Sequence, residues 1–227
     1  MIYNFLFTEG VSAQTAVVMF IIALFVFVFS LSLHEFAHAF AAYKMGDPSA
    51  KNMGRMSLNP ARHLDLIGFL FFLFIGVGWA KPVPVNPNNF RNYKKGSRIV
   101  SISGVLANFI LGVICAIAIA ILNIFKIDNA FMDYLMKTLA MFVQINGLLV
   151  MFNILPIPSL DGFNFLATFV KGDNKFLRYM LKNGFRILLI IILVGIATDL
   201  IFGFDIFTIY LNSLSDFEFY IINLIGA

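Results

Sequence analysis

Long apolar stretches separated by short polar segments run along almost the whole chain. A helix of about 17–20 apolar residues is long enough to cross a bilayer. Four stretches reach that length, at 14–44, 98–125, 134–158 and 184–204. A fifth apolar run, at 64–80, is shorter and contains three glycines. This pattern predicts an all-α polytopic membrane protein with about four transmembrane helices.

The basic residues predict how these segments lie in the membrane. Lys and Arg flank the run at 64–80 on both sides, so a full crossing would place one basic cluster outside, against the positive-inside bias. We therefore expect this run to form a re-entrant loop or a membrane-associated β-hairpin between the first two spans, packed against protein. Fourteen of the sixteen basic residues then face the cytoplasm, and both termini lie outside. The tail at 205–227 would lie at the interface or return briefly into the membrane.

Composition supports this interpretation and excludes an ordinary soluble protein. Of the 227 residues, 60% are hydrophobic and 12% are charged, and the mean hydropathy is +0.90. The net charge of +4 fits membrane orientation better than nucleic-acid binding. The one cysteine, Cys115, rules out an internal disulfide and is expected to be a buried, inert thiol. The N-terminal residues lack the basic region and cleavage site of a signal peptide, so we expect the first span to be retained.

The first span contains the sequence His34-Glu35-Phe36-Ala37-His38. Residues four apart lie on one face of a helix, so the two imidazoles can bind one metal ion beside the Glu35 carboxylate. Counting back from Lys44 at about 1.5 Å per residue, the pair lies roughly 9–15 Å below the cytoplasmic boundary. Ionisable side chains at such depth are costly and indicate function. The spacing predicts a zinc site at which Glu35 acts on a water molecule.

Two histidines leave a catalytic zinc site one protein ligand short. His63 and Asp161 are the two candidates for the third ligand. Pro156 and Pro158 must break the third span just before Asp161, which frees backbone groups near the inner half of the membrane. His63 instead lies in a polar, basic stretch typical of the interface. We favour Asp161, because an unpaired acid within the membrane is costly.

Taken in order, these motifs resemble the site-2 protease family of intramembrane zinc metalloproteases. The resemblance covers most of the chain from His34 to Gly162. It rests on HEFAH at 34–38, GRMSLNPARHLD at 54–65, GWAKPVPVNP at 78–87, SGVLANF at 103–109 and NILPIPSLDG at 153–162. The family usually has Pro where this chain has Leu66 and Val105, which affects local backbone shape and not the chemistry. The chain looks like a minimal catalytic core, a single intramembrane metalloprotease domain at 1–227 without a PDZ or nucleotide-sensing domain.

The resemblance implies the roles of particular residues. It implies one zinc ion per chain, held by His34, His38 and Asp161. Glu35 would be the general base, and Asn153 would engage the substrate backbone or the oxyanion. Another divalent ion could replace zinc, although two His and one carboxylate in a tetrahedral site favour zinc.

Four further residues are candidates for substrate binding, namely Pro82, Pro84, Asn108 and Asn146. The two asparagines could instead bridge helices by hydrogen bonds, and Asn146 could orient a metal ligand. The loop Lys81–Asn89 and the re-entrant run would lie beside the active site, where the loop could gate it.

The predicted function is therefore hydrolysis of peptide bonds in or near transmembrane segments of membrane-protein substrates, in the cell membrane, with the active site towards the cytoplasm. The substrate helix must unwind locally, and a strand edge between Leu64 and Asn89 could capture it by β-addition. The alternatives are an intramembrane metal or proton transporter and a non-catalytic helix-binding scaffold. A transporter more often shows inverted repeats and acids across both leaflets, and a scaffold should have lost the base or a ligand. The expected partners are transmembrane protein substrates and the lipid bilayer.

Overall fold

The computed structural model describes residues 12–75, 78–170 and 174–202, together with Tyr210 and Ser213. Within these residues the regular structure is helical. The α-helices, numbered here in chain order, are α1 Ala13–Met45, α2 Ser49–Asn52, α3 Leu66–Ile75, α4 Tyr93–Phe125, α5 Ala130–Asn153, α6 Asp161–Ala167 and α7 Lys175–Phe202. Two short 3-10 helices lie between them, at Pro60–Arg62 and Pro87–Asn89. The predicted all-α fold class is confirmed.

Three of the described helices, α1, α4 and α5, are long and apolar enough to cross a membrane. They correspond to the first three predicted spans. The fourth predicted span, 184–204, reaches beyond the described residues, although α7 contains an apolar stretch at Arg186–Gly195. The fourth crossing therefore stays a prediction. The predicted tail at 205–227 lies outside the described residues except for Tyr210 and Ser213.

Local sequence explains where α1 and α5 begin and end. The Ser12 side chain caps the start of α1 by accepting from the Thr15 N–H, and Asn129 caps α5 in the same way through Met132. Helix α1 ends at Met45 and is followed by Gly46, whose φ of 115° is in the left-handed region that glycine adopts without strain. Helix α5 ends at Asn153, five residues before the predicted end of its span, because the residue before a proline disfavours helical backbone and Pro156 follows closely.

The three long helices pack against one another, and α6 packs against α4. Their contacts are made by apolar side chains in separate clusters. One cluster joins α4 to α5 through Cys115, Ala116, Ile119 and Val143. Another joins α1 to α5 through Val26, Phe27 and Ile145. Cys115 is buried, as predicted, and many large apolar side chains on the outer faces stay exposed, as expected for helices that contact lipid.

The two ends of the segment 64–80 lie next to each other. Asp65 caps α3 by accepting from the Gly68 N–H at 2.9 Å. At the far end, Ala80 pairs with Leu64 in an isolated antiparallel bridge. A Cβ on Gly68 would lie 2.3 Å from the carbonyl oxygen of Trp79, so glycine is needed for this close return. The described part of the segment is helical with one bridge, residues 76 and 77 lie outside it, and the re-entrant path stays a prediction.

Candidate metal centre

Helix α1 and the start of α6 bring three metal-binding side chains together. His34 and His38 lie one turn apart on α1, and both are buried. Asp161 is the first residue of α6, immediately after the proline-broken turn. The two Nε2 atoms are 3.0 Å apart, and Oδ2 of Asp161 lies 3.3 Å from that of His34 and 3.1 Å from that of His38. These side chains form the one His/Cys/Asp/Glu group among the described residues that is close enough to hold a metal ion.

The hydrogen bonds of the two imidazoles show why a cation fits this position. Nδ1 of His34 lies 2.6 Å from the Asn108 side-chain oxygen, and Nδ1 of His38 lies 2.7 Å from the Val100 carbonyl oxygen. Because both partners are acceptors, each Nδ1 must carry the proton, which leaves an Nε2 lone pair on each neutral ring. Oδ2 of Asp161 is buried without a hydrogen-bond partner. One shared proton could serve only one of the three contacts between these atoms, whereas a divalent cation serves all three.

Helix α4 lies behind the two histidines, and three of its successive turns face them. Val100 supplies the carbonyl that holds His38, and Asn108 supplies the amide oxygen that holds His34. Gly104 lies midway between them on the same helix face. A Cβ at Gly104 would lie 2.3 Å from Nε2 of His38 and 2.6 Å from Nε2 of His34. Only glycine therefore leaves room for both imidazoles at this point of α4.

The Glu35 carboxylate points towards the loop Lys81–Asn89. Its Oε2 accepts a hydrogen bond of 2.8 Å from the backbone N–H of Val83. Glu35 itself is 9% exposed, so the contact lies at the edge of the protein interior. The loop that the sequence places beside the active site thus touches the predicted general base directly.

Two charged side chains fix this loop from opposite ends. At its start, Arg55 donates to the Lys81 carbonyl oxygen at 2.7 Å. Towards its end, the buried Asp47 carboxylate accepts from the backbone N–H of Asn86 at 2.7 Å and from the Asn89 side chain at 2.8 Å. Burial alone would raise the pKa of Asp47, but these bonds and those from Ser49 outweigh it and hold the pKa below its usual value. The carboxylate is therefore ionised, and the loop has a fixed position relative to α1.

His63, the other candidate for the third ligand, lies apart from the three-residue group. It is 2% exposed, and its Nε2 lies 2.7 Å from the Ser57 carbonyl oxygen. It lies beside a turn, and it is more deeply buried than an interfacial position suggests.

The remaining predicted site residues occupy different kinds of position. Asn153 is the last residue of α5, and its side chain donates to the Leu149 carbonyl oxygen at 2.9 Å. Pro82 is exposed and Pro84 is half-buried in the loop. Asn108 and Asn146 are fully buried and bonded to each other, which favours the alternative that they bridge helices. Substrate binding by these residues, and the oxyanion role of Asn153, stay predictions.

Sequence reasoning missed three contributors to this centre. Gly104 carried a signal, since it lies four residues before Asn108 and therefore on the same helix face. The contact of Val83 with Glu35 joins residues 48 positions apart through a backbone N–H, and no side-chain pattern encodes it. Asp47 follows the end of α1 and is read most simply as a turn residue, so its long-range bonds were not foreseeable.

Curated relatives of this chain carry names that agree with such a centre. The chain is 38% identical over 145 residues to "Putative zinc metalloprotease YwhC" of Bacillus subtilis. The aligned residues make up 63% of the chain and 66% of that protein. It is 29% identical over 167 residues to "Putative zinc metalloprotease Rip2" of Mycolicibacterium smegmatis, covering 69% of the chain and 60% of the relative. The Rip2 protein of Mycobacterium tuberculosis is 30% identical over 151 residues, which are 64% of the chain and 56% of that relative.

No family model and no solved structure matches the chain significantly. The chain spans about two thirds or less of the length of the curated relatives it matches. Together with the ordered motifs and the three converging side chains, these relatives identify the class of protein. The chain belongs to the site-2 protease family of intramembrane zinc metalloproteases.

Proposed function

We propose that this protein is an intramembrane zinc metalloendopeptidase that cleaves membrane-protein substrates in or near their transmembrane segments. One observation carries the proposal. The Nε2 atoms of two histidines, on an apolar helix long enough to span a membrane, and a carboxylate oxygen of Asp161 converge within 3.0–3.3 Å, beside Glu35. Such a ligand set suits one zinc ion per chain and leaves a fourth position open for chemistry.

Zinc bound by His34, His38 and Asp161 would supply Lewis acidity, which activates water near neutral pH and polarises a peptide carbonyl. Glu35, the next residue after His34, takes the proton from the attacking water and returns it to the leaving amine. Its buried carboxylate is oriented by the Val83 N–H. Asn153 is our candidate donor to the oxyanion. Its side-chain NH₂ group donates one hydrogen bond within its own helix, to the Leu149 carbonyl oxygen, and has a second N–H for the oxyanion.

The loop around Val83 is proposed to form part of the substrate path. Residues 81–86 have no helical or strand assignment, and they touch Glu35 at one point and Asp47 at another. An unwound substrate segment could lie along this stretch by β-addition, with Pro82 and Pro84 beside it. Asn108 and Asn146 lie too deep to meet the substrate without rearrangement. The path opens towards the cytoplasm if the basic loops face that side.

The metal content of the purified protein tests the centre. We expect about one zinc per chain in the wild type, loss of zinc in His34→Ala and Asp161→Ala, and retention in His63→Ala. His63→Ala is the matched control, since it removes a buried imidazole that lies outside the three-residue group. Zinc lost with His63→Ala and kept with Asp161→Ala would move the third ligand to the loop.

The activity needs a separate test, because zinc binding alone does not distinguish a protease from a transporter or a scaffold. Glu35→Gln should keep its zinc and lose cleavage of a co-reconstituted transmembrane substrate, since the amide cannot take a proton. Loss of about 10²–10⁴-fold in rate is the usual contribution of a general base. Unchanged cleavage by Glu35→Gln would contradict the assignment of the base.

A further inference from the structure

We infer that Asn108, Asn146 and Ser30 form a buried relay that fixes the tautomer and orientation of the metal ligand His34. The inference rests on the proposed metal site and assigns these three residues a positioning role. Each comes from a different long helix, α4, α5 and α1 in that order. All three are 0% exposed, so every polar atom among them must find its partner inside the protein.

The contacts form a continuous chain from α5 to the imidazole. Nδ2 of Asn146 donates to the Phe142 carbonyl oxygen at 2.8 Å and to Oγ of Ser30 at 2.9 Å. Oδ1 of Asn146 accepts from Nδ2 of Asn108 at 2.7 Å. Nδ2 of Asn108 also lies 3.3 Å from the Ser30 carbonyl oxygen. Oδ1 of Asn108 lies 2.6 Å from Nδ1 of His34, which completes the relay.

The donors and acceptors of this hydrogen-bonded relay can be ordered in only one way. A backbone carbonyl oxygen is an acceptor only, so the Phe142 oxygen requires the NH₂ end of the Asn146 amide. The oxygen end of Asn146 then faces Asn108 and requires its NH₂ group, which also meets the carbonyl oxygen of Ser30. The oxygen of Asn108 is left for His34. Turning both amides round would place oxygen against oxygen at Phe142 and again at Ser30.

The direction of the relay decides which nitrogen of His34 is free to bind metal. Because Asn108 presents an acceptor, Nδ1 carries the proton and Nε2 keeps its lone pair towards Asp161 and His38. His38 obtains the same tautomer from a backbone carbonyl, at Val100, which no substitution removes. His34 depends on side chains alone. Partners of this kind typically change metal affinity by about 10–100-fold when they are lost.

The hydrogen bonds among these two amides and the hydroxyl add little to the stability of the fold, since polar contacts between membrane helices average only about 0.6 kcal/mol. Apolar side chains of similar size could fill the same space between the helices. The relay also joins His34 to α5, the helix whose proline-broken end leads into Asp161. The two elements that carry metal ligands, α1 and α6, are therefore both positioned relative to α5.

Two measurements test the relay in the purified full-length protein. The first is zinc affinity by competition with a chelator, for the wild type, Asn108→Leu, Asn146→Leu and the double variant. We expect a loss of about 10–100-fold for Asn108→Leu and a smaller loss for Asn146→Leu. In the Asn108→Leu background, Asn146→Leu should add almost nothing, because its effect passes through Asn108. Additive losses would overturn the relay.

The second measurement reads the tautomer directly. The chain has only three histidines, so nitrogen NMR of the ¹⁵N-histidine-labelled, metal-free protein can resolve His34. We expect the Nδ1–H form in the wild type and a mixture of tautomers in Asn146→Leu. An unchanged His34 spectrum in Asn146→Leu and Asn108→Leu would overturn the inference. Thr138→Val is the matched control, since Thr138 lies on α5 and, among the residues that the structure describes, its side chain bonds only to the Tyr134 carbonyl oxygen of its own helix.

The two readouts separate the relay from the function it rests on. A wild type that holds no zinc would contradict the metalloprotease proposal, while the tautomer spectrum would still decide the relay. If Asn108→Leu fails to fold, Ser30→Ala replaces it. That variant removes one of the two acceptors that orient the Asn146 amide, and it should shift the tautomer in the same direction by a smaller amount. No shift in Ser30→Ala or Asn146→Leu would refute the relay.

Discussion

Adding a single methyl group at Gly104 should dismantle the metal centre without unfolding the protein. The new Cβ would lie 2.3 Å from Nε2 of His38 and 2.6 Å from Cε1 and Nε2 of His34, and distances below 3.0 Å are essentially never observed for a Cβ. The His38 nitrogen must therefore move by about 0.7 Å. Metal–ligand distances in working sites vary by only about 0.2 Å. We expect Gly104→Ala to lose at least about 100-fold in zinc affinity, at or beyond the upper end for residues that support a ligand.

The effect on stability should be much smaller. Alanine is favoured over glycine in a helix by about 1 kcal/mol, whereas an overpacked methyl group typically costs about 1–3 kcal/mol. The free energy of unfolding should then fall by between about 0 and 2 kcal/mol. A protein that melts close to the wild-type temperature in its metal-free form but binds zinc poorly is the expected result.

The assay is zinc retention against a graded series of chelator concentrations, with thermal unfolding of the metal-free protein measured in parallel. Gly96→Ala is the matched control. Gly96 lies on the same helix, and a Cβ there would meet the Phe90 ring at 2.6 Å, away from the histidines. It should lose stability and keep its zinc. Wild-type zinc affinity in Gly104→Ala would refute the packing argument, as would an equal loss of zinc in Gly96→Ala.

Two further predictions concern the supports of the centre. A Cβ on Gly162 would lie 2.1 Å from the backbone oxygen of Ile154, so Gly162→Ala should displace the adjacent Asp161 and lower zinc affinity, measured by the same competition. Asp47 has a lowered folded-state pKa, so its contribution to the loop is present above the unfolded pKa of about 3.9 and is lost as the pH falls through the lower folded value. In metal-free protein, the Asn86 amide should therefore show less protection from hydrogen exchange at about pH 3 than at about pH 6. Asp47→Asn should remove this difference, and a difference that persists would assign it to another group.

Periodicity and motif spacing predicted much of this protein from sequence. The first three spans agree with α1, α4 and α5 to within about five residues, because a long apolar run has few alternatives to a helix in a membrane. The preference for Asp161 over His63 as the partner of the two histidines agrees with the geometry. That preference depended on the free-energy cost of placing an acid in the membrane, which can be judged from one residue and the sequence around it.

The sequence was less informative where backbone atoms make the contacts. The Val83 N–H that reaches Glu35 and the Val100 carbonyl that holds His38 belong to residues whose side chains carry no functional signal. The basic flanks of the run at 64–80 predicted a re-entrant loop or a β-hairpin without choosing between them, and the described part of that segment contains the helix α3 and one antiparallel bridge. Its apolar run was too short to distinguish a helix from strands by periodicity alone.

The wide separation of the ligands along the chain has a consequence for biosynthesis. More than 120 residues lie between His38 and Asp161. At about 5–20 residues per second, translation of that stretch takes roughly 6–25 seconds. During this time a nascent chain already carries the glutamate and both imidazoles, but it lacks the carboxylate that closes the centre. An unfinished or truncated product therefore lacks one of the three proposed zinc ligands, and the complete ligand set exists only after the third long helix has been made.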